Sequence, residues 1–117
     1  MRAAGHFFEK AAENWLSERG LTTVARSFSC RQGEIDLIMR ENDELVFVEV
    51  RYRRSRRYGG PEESVDQRKQ KKIIRTAESY LARNTNRRAL ACRFDVMAIT
   101  GEGEDLMFNW IQNAFSA

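Results

Sequence analysis

Apolar positions along this chain change their period several times, and each change marks an element. Phe8, Ala11, Ala12, Trp15 and Leu16 fall at i, i+3, i+4, i+7 and i+8, the stripe of an amphipathic helix. This predicts a helix over residues 4–19, with Gly20 as its stop. Residues 21–29 carry the β-formers Thr22, Thr23, Val24 and Phe28 and predict a strand. Residues 33–40 and 44–52 predict two more, joined into a hairpin by Glu41-Asn42-Asp43. A basic loop follows from Arg53 to Pro61, through Tyr58-Gly59-Gly60. Ser64 and Gln67 have capping-box spacing and place a second helix from about Ser64 to Arg83-Asn84, with Ile73, Ile74, Ala77, Tyr80 and Leu81 as its apolar stripe. Residues 91–99 read as a fourth strand and Gly101 to Glu104 as a turn. Leu106 to Ile111 reads as a fifth strand passing into a short helix. The order α-β-β-β-α-β-β predicts an α/β fold with a mixed central sheet flanked by helices.

Within the hairpin the alternation carries charge. Successive side chains of a strand point to opposite faces. Glu34 and Asp36 therefore share one face, with Ile35 and Leu37 on the other. Glu49 and Arg51 share a face, with Val48 and Val50 opposite. Acids set among Ile, Leu, Val and Phe need compensation, because an unpaired buried charge costs several kcal/mol or more. A divalent cation would supply it. Carboxylate oxygens are the ligands that Mg²⁺ and Mn²⁺ prefer.

The 117 residues include one proline, and one domain spanning residues 1–117 is expected. No apolar run approaches the roughly 20 residues of a spanning helix, so no membrane association is expected. Glu9 and Lys10 interrupt any signal-peptide apolar region. Two cysteines, Cys30 and Cys92, are too few for a disulfide framework, which makes a reducing cytoplasm the expected location. The net charge of +3 hides an asymmetry: residues 51–75 hold ten of the 20 Lys and Arg residues against three acids. A patch this basic points to an anionic partner, nucleic acid being the commonest. The plainer alternative is a solvated helix face and a charged loop.

Asp36 and Glu49, on neighbouring strands, suit one coordination sphere, with the Val50 carbonyl as a further oxygen. Arg51 would contact a phosphate from the same side. Such a set suits phosphodiester hydrolysis, where metal ions activate water and neutralise developing charge and a fixed cation stabilises the transition state. The alternative is that Asp36 and Glu49 form a structural ion pair with Arg51 and another basic residue, but the cost of keeping buried acids on adjacent strands favours the ligand role. Glu9, on a helix's polar face, is by default a surface residue, and so is His6, the only histidine. One histidine excludes multi-histidine zinc sites. Asp95, between Phe94 and Val96, reads as a hydrogen-bonding residue. Cys30 and Cys92 read as small core residues and Trp15 and Trp110 as core; Tyr52 and Tyr58, set among arginines, read as packing residues, with base stacking as the alternative.

Gly33-Glu34-Ile35-Asp36-Leu37-Ile38, followed by Phe47-Val48-Glu49-Val50-Arg51-Tyr52-Arg53, resembles the YraN family, small bacterial proteins similar to the PD-(D/E)XK nuclease superfamily and, distantly, to archaeal Holliday-junction resolvases. Gly5 and Glu9 match the family's first helix. Ser64-Val65, Lys69, Gln70, Lys72 and Ala77 match its second, and Cys92-Arg93-Phe94-Asp95-Val96 its later strand. The resemblance implies a restriction-endonuclease-like core and a Mg²⁺- or Mn²⁺-dependent endonuclease acting on DNA rather than RNA, on branched or otherwise structured forms. It implies Asp36, Glu49 and Arg51 as catalytic residues. Asp36, Glu49 and the Val50 carbonyl would hold metal, with Glu9 and Glu34 as auxiliary acids. Arg53, Arg54, Arg56, Arg57, Arg68, Lys69 and Lys72 would hold the nucleic acid. A resolvase would act as a homodimer, with the sheet ends and Leu106 to Phe115 as candidate seams. The chain departs from the nuclease motif at Arg51, where a lysine is usual. Arginine stays protonated and cannot serve as a base, so a binding protein that does not cut is the alternative, and a protein partner for the basic patch is a third reading.

Overall fold

The computed structural model describes residues 2–84 and 91–117. The elements run α1 (Arg2–Ser17), β1 (Thr22–Cys30), β2 (Gly33–Glu41), β3 (Glu44–Arg53), α2 (Gln67–Arg83), β4 (Ala91–Thr100) and β5 (Met107–Phe115), with a short 3-10 turn at Pro61–Ser64. The expected order is the one found. The five strands form one sheet in sequence order. Neighbours are antiparallel except β3 and β4, which run parallel. A parallel pair needs a crossover connection, and α2 lies on that connection.

The sheet is buried on both faces. On one, Ala12 and Leu16 of α1 meet Leu37, Met39, Val46, Val48, Val50, Met97 and Ile99. On the other, Ile73, Ala77 and Tyr80 of α2 meet Ile35, Ile38, Leu45, Phe47, Phe94 and Val96. The predicted apolar stripes of both helices are thus the faces that pack. Trp15 and Trp110 flank the first cluster half-buried, with ring centroids 6.0 Å apart. Among the described residues no helix is long and apolar enough to cross a membrane.

Two expectations fail for local reasons. Ser64 does not cap α2. Its hydroxyl donates to the Pro61 carbonyl at 2.7 Å, inside the 3-10 turn. Asp66 is the cap, accepting the Lys69 N–H at 2.9 Å, the arrangement expected of an Asp N-cap. The segment after Ile111 remains strand to Phe115. Phe94 pairs with Phe115 and Val96 with Ile111, so three residues of β5 oppose Asp95 alone. Asn113 turns the bulge at φ 52°, and its N–H, displaced from the ladder, is taken by Asp95 Oδ1 at 2.9 Å.

Asp95 is wholly buried and fulfils its expected hydrogen-bonding role. Trp110 Nε1 donates to it at 2.9 Å and Arg93 Nε at 3.0 Å. Arg93 also reaches Glu41 and Glu44, at 2.8 and 2.9 Å. This network ties β2, β3, β4 and β5 together at one end of the sheet.

Candidate metal and nucleic-acid site

The site forms where the sheet splits. β2 and β3 pair from Glu41↔Glu44 to Leu37↔Val48. Beyond that point β2 stays with β1, through Ile35↔Phe28 and Glu34↔Ser29. β3 stays with β4 as far as Arg53↔Thr100. The simple alternation expected of β2 breaks here. Leu37 faces the α1 cluster, but Ile35 joins the α2 cluster instead of sharing Leu37's side, because the strand twists as it leaves β3. Asp36 sits at this break. Its Oδ2 accepts the Val50 N–H at 2.8 Å, a side chain standing in for the lost ladder. A strand residue's N–H and C=O lie on the same edge, so the Val50 carbonyl faces the split as well.

A cleft of about 600 Å³ opens at the split. Asp36, Glu49, Val50 and Arg51 line it together with Phe8 and Glu9 of α1, Gly33, Glu34, Tyr52, and Lys69, Lys72 and Ile73 of α2. Gly33 allows this closure. A Cβ there would lie 3.1 Å from Thr76 Oγ1 and 4.0 Å from Lys72 Cβ, so a larger residue would crowd the Thr76 hydroxyl of α2, which would have to give by a few tenths of an ångström.

Three carboxyls converge. Asp36, Glu49 and Glu9 line one cleft, and the Asp36 and Glu49 carboxyls are near enough to influence each other's ionisation. Burial raises Asp36 above the ordinary aspartate range, against the Val50 N–H and the Arg51 charge. Burial, then the Asp36 charge, pushes Glu49 up to about 8, against the attraction of Arg51 and Lys69. Arg51 Nη2 lies 2.5 Å from Glu49 Oε2. Glu49 Oε1 is buried and receives no donor among the described residues, and neither Arg51 Nε nor Nη2 makes an aligned hydrogen bond. The Arg51–Glu49 contact is therefore a close ion pair that leaves half of the carboxylate unused.

This donor set suits a hard divalent cation: it is all oxygen, with a buried carboxylate oxygen that has no donor among the described residues and acids whose burial disfavours their charge. Among the described residues no group of three or more Asp, Glu, His or Cys side chains is placed to hold a metal ion together, so a site here would rest on two carboxylates and main-chain oxygen. Asp36, Glu49 and the Val50 carbonyl are the set that would hold the ion, with Glu9 beside them. Glu34 is exposed at the rim.

The predicted nucleic-acid contacts separate into two groups. Lys69 and Lys72 line the cleft, with Arg68 exposed on the same turn of α2. Arg53 and Arg56 hold their own loop: Arg53 donates to the Tyr58 carbonyl at 3.1 Å, and Arg56 pairs with Glu62 at 2.5 Å. Arg54 pairs with Glu102 at 2.9 Å, and Arg57 lies over the Tyr58 ring at 5.6 Å. Tyr58 is 83% exposed and so is not the packing residue expected. Cys92 is exposed and Cys30 half-buried, and neither belongs to a core cluster as expected. His6 is exposed. Sequence reasoning gave Phe8 and Tyr52 no place at the carboxylates. The available signal was that Phe8 precedes Glu9 and Tyr52 follows Arg51.

The family model described as "Uncharacterised protein family UPF0102" matches residues 8–99, from the residue before Glu9 to the last residue but one of β4. This chain belongs to the family UPF0102. It is the family that the two strand blocks resemble, and the match spans every residue lining the cleft. Three UPF0102 relatives extend the likeness. The Aeromonas hydrophila protein is 51% identical over 95% of this chain and 83% of its own length. The Stutzerimonas stutzeri protein is 47% identical over 99% and 97%, and the Alcanivorax borkumensis protein 46% over 95% and 90%.

Proposed function

We propose that this UPF0102 protein is a Mg²⁺- or Mn²⁺-dependent endonuclease that hydrolyses phosphodiester bonds in DNA. The observation that carries the reading is that Asp36 and Glu49, with Glu9 beside them, line one cleft at a split of the sheet together with Lys69 and Lys72, with Glu49 Oε1 buried and without a donor among the described residues. When bound, the metal would supply an activated water and neutralise charge developing on the phosphate. Asp36 and Glu49 would hold it, with the Val50 carbonyl as a third oxygen. Arg51 is permanently charged, so it would orient and stabilise the phosphate without taking a proton. Lys69 and Lys72 would seat the neighbouring phosphates as point charges. Paired cuts in a four-way junction would require two copies of the chain.

A second reading has its own observation. Arg51 is drawn onto Glu49 at 2.5 Å, and a carboxylate held by arginine is less available to a metal. The protein would then bind DNA on a nuclease fold without cutting it.

One experiment separates them: labelled linear duplex, single-stranded and four-way-junction DNA, each incubated with Mn²⁺, Mg²⁺ or EDTA, beside Asp36→Ala. Cleavage that needs both metal and Asp36 is expected, with binding largely kept in the variant. Cleavage that survives Asp36→Ala would remove the assignment. Binding without any metal-dependent product would favour the second reading.

A further inference from the structure

Resting on the reading of the cleft as a DNA site, we propose that its α1 wall is a stacking platform for unpaired bases, and that the substrate enters as a single strand. Phe8 and Tyr52 both line the cleft. Their rings stack with centroids 3.8 Å apart and planes inclined by 13°. Phe7 meets Phe8 edge-on at 5.0 Å and is 58% exposed. The Tyr52 hydroxyl donates to the Gly101 carbonyl, which fixes that ring in place. Packing α1 against β3 would account for the stack. It does not account for the stack's placement along the wall of a charged cleft.

The two walls differ in chemistry. The α1 side is aromatic, and the α2 side carries Lys69 and Lys72. A single strand has the same asymmetry, with base faces to one side and phosphates to the other. Aromatic platforms facing a cationic groove are how unpaired strands are held without sequence preference. A continuous duplex presents phosphates on both outer edges and hides its base faces in the stack, so the aromatic wall would have nothing to meet. The cleft volume of about 600 Å³ lies in the range of small-ligand sites, which suits a nucleotide or two.

The test uses the wild-type chain in EDTA, where cleavage cannot interfere. Anisotropy would compare a labelled eight-nucleotide DNA strand, its duplex, and an abasic strand with the same number of phosphates. The abasic strand is expected to bind about fivefold or more weakly for the first base lost, and the duplex more weakly than the intact strand. Phe8→Leu should bring the intact and abasic strands towards parity. Lys69→Ala should weaken both alike. Equal affinity for intact and abasic strands, or tighter binding of the duplex, would overturn the stacking proposal even where metal-dependent cleavage is present. No binding to any of the three would overturn the DNA-site reading, and this inference with it.

Discussion

Burial of the site carboxyls makes folding stability depend on pH in an unusual direction. Glu49 moves from an ordinary 4.5 to about 8 on folding, and Asp36 is raised beside it. Between about pH 4.5 and 8 the folded state therefore holds more protons than the unfolded chain. Linkage then makes stability fall as pH rises through this window and level off above it. At about 1.4 kcal/mol per pH unit, the Glu49 shift sets a scale of roughly 5 kcal/mol. Even half of that corresponds to about 8–15 °C in Tm for a domain of this size. Thermal unfolding in EDTA at pH 5, 6, 7 and 8 would read the slope. Glu49→Gln keeps the shape without the charge and should remove most of it, so that the variant is the more stable protein at pH 8. Mn²⁺ should reverse the trend in the wild type, raising Tm more at pH 8 than at pH 5, because ligand carboxylates bind metal only when ionised. Wild-type stability that is flat or rises from pH 5 to 8 in EDTA would refute the buried-carboxyl account. So would a slope unchanged by Glu49→Gln.

Other consequences follow from single contacts. Arg51→Lys supplies a side chain able to shift its pKa and take a proton, and single-turnover cleavage with Mn²⁺ should accelerate by about tenfold or more. Asp95→Ala strands the buried Arg93 guanidinium and the displaced Asn113 N–H, and urea unfolding should show a loss on the order of 3–5 kcal/mol. Lys69→Ala and Lys72→Ala should each lower the slope of log K against log salt for DNA by about one. Arg56→Ala, whose guanidinium is committed to Glu62, should change that slope less than either lysine.

The fold was legible where the pattern was periodic and long. The stripes of α1 and α2 each bury one face against one layer, β3 alternates its apolar residues between the two layers, and tertiary packing had no reason to override them. Legibility failed at the ends and breaks of elements. Ser64 and Asp66 both offer an oxygen near the start of α2, and only the 3-10 turn begun by Pro61 decides that Asp66 takes the cap. The bulge opposite Asp95 keeps the end of β5 extended, and it depends on a partner strand that local sequence does not reveal. The same limit applies to the site. Asp36 and Glu49 could be named because acids in apolar strands are costly. That the sheet splits between them, making room for Glu9, Phe8 and Lys69, is a property of three-strand pairing.

Arg51 shows how far residue identity alone reaches. Sequence reading left it as either a salt-bridge partner or a phosphate contact, and the structure shows the first state. The two states are not exclusive. Glu49 Oε1 has no donor among the described residues, and Arg51 Nε is likewise without an aligned partner, so each side chain keeps capacity that the pair does not use. A cation entering beside Asp36 would compete for Glu49, and a phosphate would compete for Arg51. The ion pair thus opposes the binding of either alone more than the binding of both together. Metal affinity should therefore be higher in the presence of DNA than in its absence, and by reciprocity DNA affinity should be higher with metal bound. Titrating Ca²⁺ into the protein with and without a bound DNA strand would measure the coupling, and identical Ca²⁺ affinities in the two titrations would show that Arg51 does not link the two sites.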